Sequence, residues 1–302
     1  MIETPWITSS QWAYLSNNLI YSAMVVYTLA MLLTAWEFAI NLKSAAELVS
    51  DQPVRSARLG KIALSLTGLA FLIHLAGVVT RGISALRVPW GNMYEFSITG
   101  SVAVAGVYLL LVRKFQLRWL AVVVNVCVLL ILGTAITLLY RPSAPLVPAL
   151  KSTWLAIHVS AAIISGGVFL LANAVAASYL YLERFGDHRP AWAIRIPSQE
   201  ILDRLQYRLI AFVFPLWTFA IIAGAIWAES AWGRYWGWDP KETWAFITWV
   251  GYAAYLHARA TVGWRGRRAA WLCLIAGSTF LFNYVYVNVW GSGKHTYSGL
   301  DK

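Results

Sequence analysis

Apolar residues run through this chain in long unbroken stretches separated by short polar segments, and that alternation sets its elements. Eight stretches approach the ~20 residues that a helix needs to cross ~30 Å of hydrocarbon. They fall at about 17–39, 62–83, 95–112, 119–140, 154–182, 208–228, 242–262 and 269–290. None shows the two-residue alternation of a membrane barrel strand, so each is predicted to be a helix. The expected fold is an all-α polytopic membrane protein, a bundle of about eight transmembrane helices forming one integral membrane domain over 1–302. The segment 183–208 is the longest polar connection, and Pro142, Pro145 and Pro148 interrupt another.

Composition agrees with that class, since 59% of the residues are hydrophobic and only 12% are charged. The basic residues then give a direction. Sixteen Lys and Arg fall on the connections of one side, in groups around Lys43–Lys61, Arg113–Arg118, Arg184–Arg208 and Arg259–Arg268. Eight fall on the other: Arg81, Arg87, Arg141, Lys151, Arg234, Lys241, Lys294 and Lys302. The positive-inside rule makes the richer side cytoplasmic. Both termini are therefore expected outside the cytoplasm, with 183–208 on the cytoplasmic surface. The net charge of +11 calls for no nucleic acid, because its excess faces the anionic headgroups of the lipid bilayer. The start, MIETPWITSSQWAY, has an acid and no base before the first apolar run. It does not read as a cleaved signal peptide, and the first helix is expected to stay.

Cys127 and Cys273 stand singly inside apolar runs, as small buried hydrophobes. No C-x-x-C and no C-x-x-C-H occurs, which excludes a thioredoxin-like motif and a c-type cytochrome.

The densest chemistry lies in WGRYWGWDPKETW, Trp232 to Trp244, with four Trp and one Tyr in thirteen residues. Aromatic belts also gather Trp and Tyr at membrane interfaces. A belt, however, requires neither Gly233 and Gly237 between the rings nor Asp-Pro after them. Asp239 suits a helix N-cap, Pro240 the first helical position, and Glu242 the third, where it completes a capping box. The segment 229–244 is thus expected to be an extracytoplasmic Trp-rich loop anchored on a helix start. Its rings offer a broad, rigid surface with N–H donors at the rim, suited to a large flat ligand with polar edges such as haem.

Five histidines remain. His188 lies in the polar connection beside Asp187 and Arg189, as a solvated residue. His158, in STWLAIHVS, and His295, in VWGSGKHTY, both face the side of the Trp-rich loop. Each alone would serve as a structural histidine, but two flanking one aromatic loop point to axial ligands of haem iron. His74 and His257 lie inside apolar spans, where an ionisable residue is costly and functional by default, with a neutral core histidine as the alternative. Their depths, counted at ~1.5 Å per residue from the span ends, disagree by roughly 10 Å. The conflict shrinks if the seventh helix continues towards Trp264 and Arg259 snorkels.

These residues carry a resemblance. WGRYWGWDPKETW resembles the WWD motif of the haem-handling proteins of cytochrome c biogenesis. The likeness extends to WGNMYEF at Trp90–Phe96, to the His158 segment, to YLHAR around His257 and to the ending GSGKH at His295. From about residue 60 onwards the chain is similar to the ResC/CcsA family of System II. The resemblance implies haem transport to the outer face of the membrane and presentation to apocytochrome c, as a component of a holocytochrome c synthase. It implies haem b as the cargo, a ResB-type membrane partner, and an apocytochrome bearing C-x-x-C-H. It also assigns His158 and His295 to an outer haem iron, and His74 and His257 to one within the membrane.

Around the outer haem the expected contacts are Trp232, Arg234, Tyr235, Trp236, Trp238, Asp239, Lys241 and Trp244, with Arg234 and Lys241 as partners of the propionates. No catalytic nucleophile of the chain's own is expected. Lys294 stands where the family pattern has an apolar residue, and the first span matches no motif. The bacterial plasma membrane is the expected location, with the thylakoid membrane as the alternative. A di-haem cytochrome b-type electron-transfer protein is a second reading, but it requires two histidines on one helix and no span has them. A membrane scaffold with the Trp loop as an interfacial anchor is a third.

Overall fold

The computed structural model describes residues 9–47, 52–143, 150–186, 195–288, 291 and 293–295, so His188 lies outside the described residues. Eight long helices appear in the predicted places: α1 (Ser9–Glu47), α2 (Gln52–Ala85), α3 (Met93–Val112), α4 (Ala121–Leu138), α5 (Thr153–Phe185), α6 (Gln199–Trp232), α7 (Pro240–Thr261) and α8 (Arg267–Phe282). A 3₁₀ turn, Leu117–Leu120, leads into α4, and a π-helical turn, Asn283–Val287, continues α8. No strand occurs among the described residues. Several helices outrun their apolar stretches because a helix goes on satisfying its own backbone where the side chains turn polar. The Trp-rich segment is correspondingly shorter as a loop, 233–239, since α6 runs to Trp232 and α7 begins at Pro240.

Seven of the eight helices are long and apolar enough to cross a membrane. α7 is the exception. It starts on Pro240, Lys241 and Glu242, and the residues it buries are Glu242, Thr248, Tyr252 and Tyr255. Its buried face is thus largely polar or aromatic, and its first turn, through Lys241, Glu242 and Ala245, lines the cavity described below.

Successive helices pair as α1/α2, α3/α4, α5/α6 and α7/α8, while α3 packs on α5, α5 on α8, and α1 on α4. At the centre Phe169 of α5 stacks on Tyr252 of α7 with centroids 4.1 Å apart, and Trp217 and Phe280 meet it edge-on. The first helix is tied in by polar contacts. Asn17 bonds to the hydroxyls of Tyr94 and Tyr140, and Glu37 pairs with Arg195 at 2.7 Å and Arg118 at 3.4 Å.

Candidate functional site

Both outer histidines line one partly open cavity. Its lining includes His158 of α5, Trp217, Ile221 and Gly224 of α6, Phe96 of α3, Tyr235, Trp236, Lys241 and Glu242 around the start of α7, and Phe280, Asn283, Tyr284, Asn288 and His295 from α8 onwards. An apolar lining with a few placed polar groups suits an organic ligand with polar edges.

Each histidine is oriented through Nδ1. The His158 Nδ1–H donates to the backbone carbonyl of Ala220 at 2.7 Å. A carbonyl only accepts, so this bond fixes the tautomer and leaves Nε2 with its lone pair. Gly224 makes the approach possible: a Cβ there would lie 2.6 Å from His158 Nδ1. The ring also stacks on Trp227, 6.3 Å away and 12° from parallel.

His295 Nδ1 donates to Asp239 Oδ1 at 2.9 Å, and the Lys294 N–H donates to Asp239 Oδ2 at 2.7 Å. The tail can come this close because residue 293 is glycine; a Cβ would meet Asp239 Oδ2 at 2.3 Å. Burial would raise the Asp239 carboxyl, but the His295 hydrogen bond and charge, with N–H donation from Lys241 and Lys294, bring it down to about 2. An ionised carboxylate therefore orients the His295 ring through Nδ1, so that in the neutral imidazole Nε2 is the nitrogen left to ligate. A histidine whose second nitrogen is held by a carbonyl or carboxylate is the usual arrangement at a metal.

The capping box is present at α7, with Asp239 accepting from Lys241 N at 3.1 Å. Glu242 does more than close it, since its Oε2 accepts from both Gly237 N at 2.9 Å and Asp239 N at 3.1 Å. That carboxylate pins the loop, and Trp238 sits at φ +57° within it, a costly conformation for a bulky residue.

The expected aromatic and basic residues sort into three groups. Tyr235, Trp236 and Lys241 line the cavity, and Lys241 Nζ bonds to Asn288 Oδ1. Trp232 and Asp239 stand behind it: Trp232 meets the His295 ring edge-on at 4.8 Å, and Asp239 aims that ring. Arg234, Trp238 and Trp244 are not in its lining. The Arg234 guanidinium lies across Gly237, Trp238 is 66% exposed, and Trp244 packs on Phe282 at 4.2 Å.

No ring contact or hydrogen bond links the inner pair among the described residues. His74 is fully buried, edge-on to Tyr27 of α1 at 5.9 Å, and neither ring nitrogen has a hydrogen bond of good geometry. His257 stands on the exposed side of α7. α2 packs on α1 and α3, whereas α7 packs on α6 and α8.

Sequence reasoning missed Trp227, Asn283, Asn288 and Gly224. Trp227 contacts His158, Trp232 and His295, yet reads as one more apolar residue of a span. The two asparagines did carry a signal, because amides inside an apolar run need partners, and they bracket the π-helical turn, a frequent mark of functional sites. The lining also keeps buried polar atoms without hydrogen-bond partners, Trp217 Nε1, Glu242 Oε1 and Asn283 Oδ1. Such atoms fit a cavity built for a ligand with polar edges.

Fold and site together define a multi-span helical membrane protein with two histidines converging on a cavity beneath a Trp-rich loop. The family model described as Cytochrome C assembly protein matches residues 90–295. The chain belongs to that family and is a CcsA/ResC-type cytochrome c biogenesis protein. It is 38% identical over 244 residues to the cytochrome c biogenesis protein CcsA of Guillardia theta, covering 74% of this chain and 80% of that one. CcsA of a Synechocystis species is 34% identical over 285 residues, covering 76% and 85%. CcsA of Trieres chinensis is 30% identical over 323 residues, covering 95% and 97%. Among solved structures the cytochrome c haem lyase CcmF superposes with a TM-score of 0.63 at 18% identity, covering 94% of this chain and 48% of that one. At that identity the likeness is one of fold.

Proposed function

We propose that this protein, whose role lies in cytochrome c maturation, holds haem b in the cavity beneath the Trp-rich loop and presents it to apocytochrome c. The observation that supports this reading most is the pair His158 and His295: both line one cavity, and each is held through Nδ1 so that Nε2 is left to ligate. His158 and His295 would hold the haem iron in the cavity that Trp236 and Phe96 also line, and Trp227 and Trp232 pack on their imidazoles. Lys241 and Asn288 are placed to receive a propionate, and the charge-assisted bond would be strong beside apolar walls. Arg234 keeps no part in that contact. An apocytochrome would bring the thiols and the histidine of its C-x-x-C-H motif to the open side of the cavity. The chain's residues bind and orient; they supply no nucleophile.

The proposal includes a ResB-type partner, and a bacterial plasma membrane or thylakoid membrane with the Trp-rich loop on the side away from the cytoplasm or stroma. His74 and His257 stay in it as candidate ligands of an iron within the membrane, His74 buried beside Tyr27 and His257 on the exposed side of α7.

The test is an absorption spectrum of the protein purified in mild detergent, oxidised and reduced, beside the His158→Ala, His295→Ala double variant. Sharp α and β bands in the reduced parent that weaken or shift in the variant are expected. Unchanged bands in a folded double variant would overturn the outer assignment.

A further inference from the structure

A second recess lies outside the cavity, between the end of α2 and the start of α3. Its lining includes Val79, Gly82 and Ile83 of α2, Thr99 of α3, and Pro89 and Trp90 of the connection 86–92. Val79 and Ile83 are exposed, as are Leu86 and Val88 beside them, so the recess opens on the outside of the bundle, where an apolar surface faces lipid. The connection folds back over α2 and closes one end. Arg87 N donates to the Gly82 carbonyl at 3.1 Å and Thr99 Oγ1 to the Pro89 carbonyl at 3.3 Å. Leu86 is held there at φ +51°, 90% exposed. Such a backbone is uncommon outside glycine and persists only where the surrounding contacts impose it.

The closed end is positive. Arg81 and Arg87 share the one carboxylate of Glu95, at 3.1 Å and 2.6 Å, with the Arg81 and Glu95 side chains fully buried and Arg87 12% exposed. Among the described residues this trio keeps one net positive charge, and Arg87 belongs to the lining of the recess. The Trp90 ring lines it too, and its buried Nε1 has no hydrogen-bond partner; neither has Arg81 Nη1. A buried N–H without an acceptor is costly, more so on a charged group. The recess is therefore an apolar trough that ends at a positive charge and an indole donor in want of an acceptor.

We infer that this recess binds an anionic phospholipid, with an acyl chain along Val79 and Ile83 and its phosphate and ester oxygens at Arg87 and Trp90. Two conditions select the occupant. It must lie against an apolar trough from the bilayer side, and it must bring negative charge and acceptor oxygens to the closed end. A phospholipid meets both, and its phosphate makes a charge-assisted pair with a guanidinium. A partner's transmembrane helix meets only the first, because its backbone acceptors are spent on itself. Bound there, the lipid braces Trp90 from outside. Trp90 and Phe96 pack together against Leu155, Val159 and Trp227, and of these Phe96 and Val159 line the cavity while Trp227 stacks on His158. The inference stands whatever ligand the cavity holds.

The experiment titrates the full chain in mild detergent with phosphatidylglycerol, and separately with phosphatidylcholine of the same acyl chains, and follows bound lipid by native mass spectrometry. Expected is one phosphatidylglycerol held with an apparent Kd about fivefold below that of phosphatidylcholine, the effect of one net charge. Ile83→Trp, which fills the trough, should lose this lipid. Trp90→Phe, which removes the indole N–H and keeps a ring, should weaken it about fivefold. Leu130→Trp, on the exposed face of α4, should bind as the parent does, and parental unfolding midpoints in detergent show that the variants fold. Equal retention by the parent and both trough variants would mean a loose lipid shell only and would overturn the inference. Equal affinity for the two lipids would overturn it as well, since the positive end would then select nothing. A parent that holds no lipid, with an Ile83→Trp variant that no longer co-purifies with a ResB-type partner, would overturn it in favour of a partner helix on this face.

Discussion

At the scale of single residues, the site depends on groups that aim the two histidines without ligating anything themselves. Gly224 admits the His158 ring against the backbone of α6, and a methyl group there must displace Nδ1, 2.6 Å away. Gly224→Ala is therefore expected to break the Ala220 contact and weaken or shift the reduced bands of bound haem. Gly100→Ala, whose added Cβ would meet nothing within 4 Å, should leave the spectrum unchanged. Parental bands from Gly224→Ala would show that His158 is not aimed by α6. Asp239 acts on His295 in the same way. Asp239→Asn keeps the volume but replaces an anionic acceptor with a neutral one, and also weakens the acceptor at Lys294 N. Loss of such a supporting group commonly costs 10–100-fold in metal affinity, so haem titration should give an apparent Kd about tenfold weaker. These dependences are hard to read from sequence: Asp239 and His295 are 56 residues apart, and the capping motif already accounts for the aspartate.

At the scale of elements, α3 is held by charge. Glu95, three residues into its first turn from the Asn92 cap, accepts from Arg81 Nε at 3.1 Å, Arg87 Nη1 at 2.6 Å and Gly91 N at 2.8 Å. Glu95 and Arg81 are fully buried, and the next residues, Phe96 and Ser97, face the cavity and Tyr284. Removing one member of a buried pair leaves the other uncompensated, at about 3–5 kcal/mol. Glu95→Ala should lower the unfolding midpoint in detergent by several degrees. An unchanged midpoint would mean that the network carries no stability. The helices themselves were legible because each apolar run is long and bounded by charge, and the start of α7 was legible because Asp239, Pro240 and Glu242 are local signals. How His74 and His257 stand relative to each other was not legible, because depth along a helix can be counted from sequence but which faces meet is decided by tertiary packing; Tyr27 of α1, for instance, meets His74 edge-on.

At the scale of the whole molecule, one end of the bundle holds the Trp-rich loop, the capped start of α7, the docked tail and the buried Glu95 pairs. The other holds ion pairs that tie helix ends to neighbouring segments, Glu37 with Arg118 and Arg195, and Asp203 with Arg259 at 2.7 Å. Charge counting assigns the second end to the cytoplasm. The ends of α7 make this testable on one helix, because Tyr235 is 61% exposed just before it and Val262 is 67% exposed just after it. Single cysteines at these positions, in a variant lacking Cys127 and Cys273, would be treated in intact cells with a membrane-impermeant maleimide. Tyr235→Cys should react at once and Val262→Cys only after the membrane is permeabilised. The opposite order would invert the molecule, placing His158, His295 and the cavity on the cytoplasmic side, where delivery of haem to an exported apocytochrome could not take place. Labelling thus bears on the mechanism as well as the topology, since the proposed haem transfer requires both histidines and the partner's thiols on the same outer face.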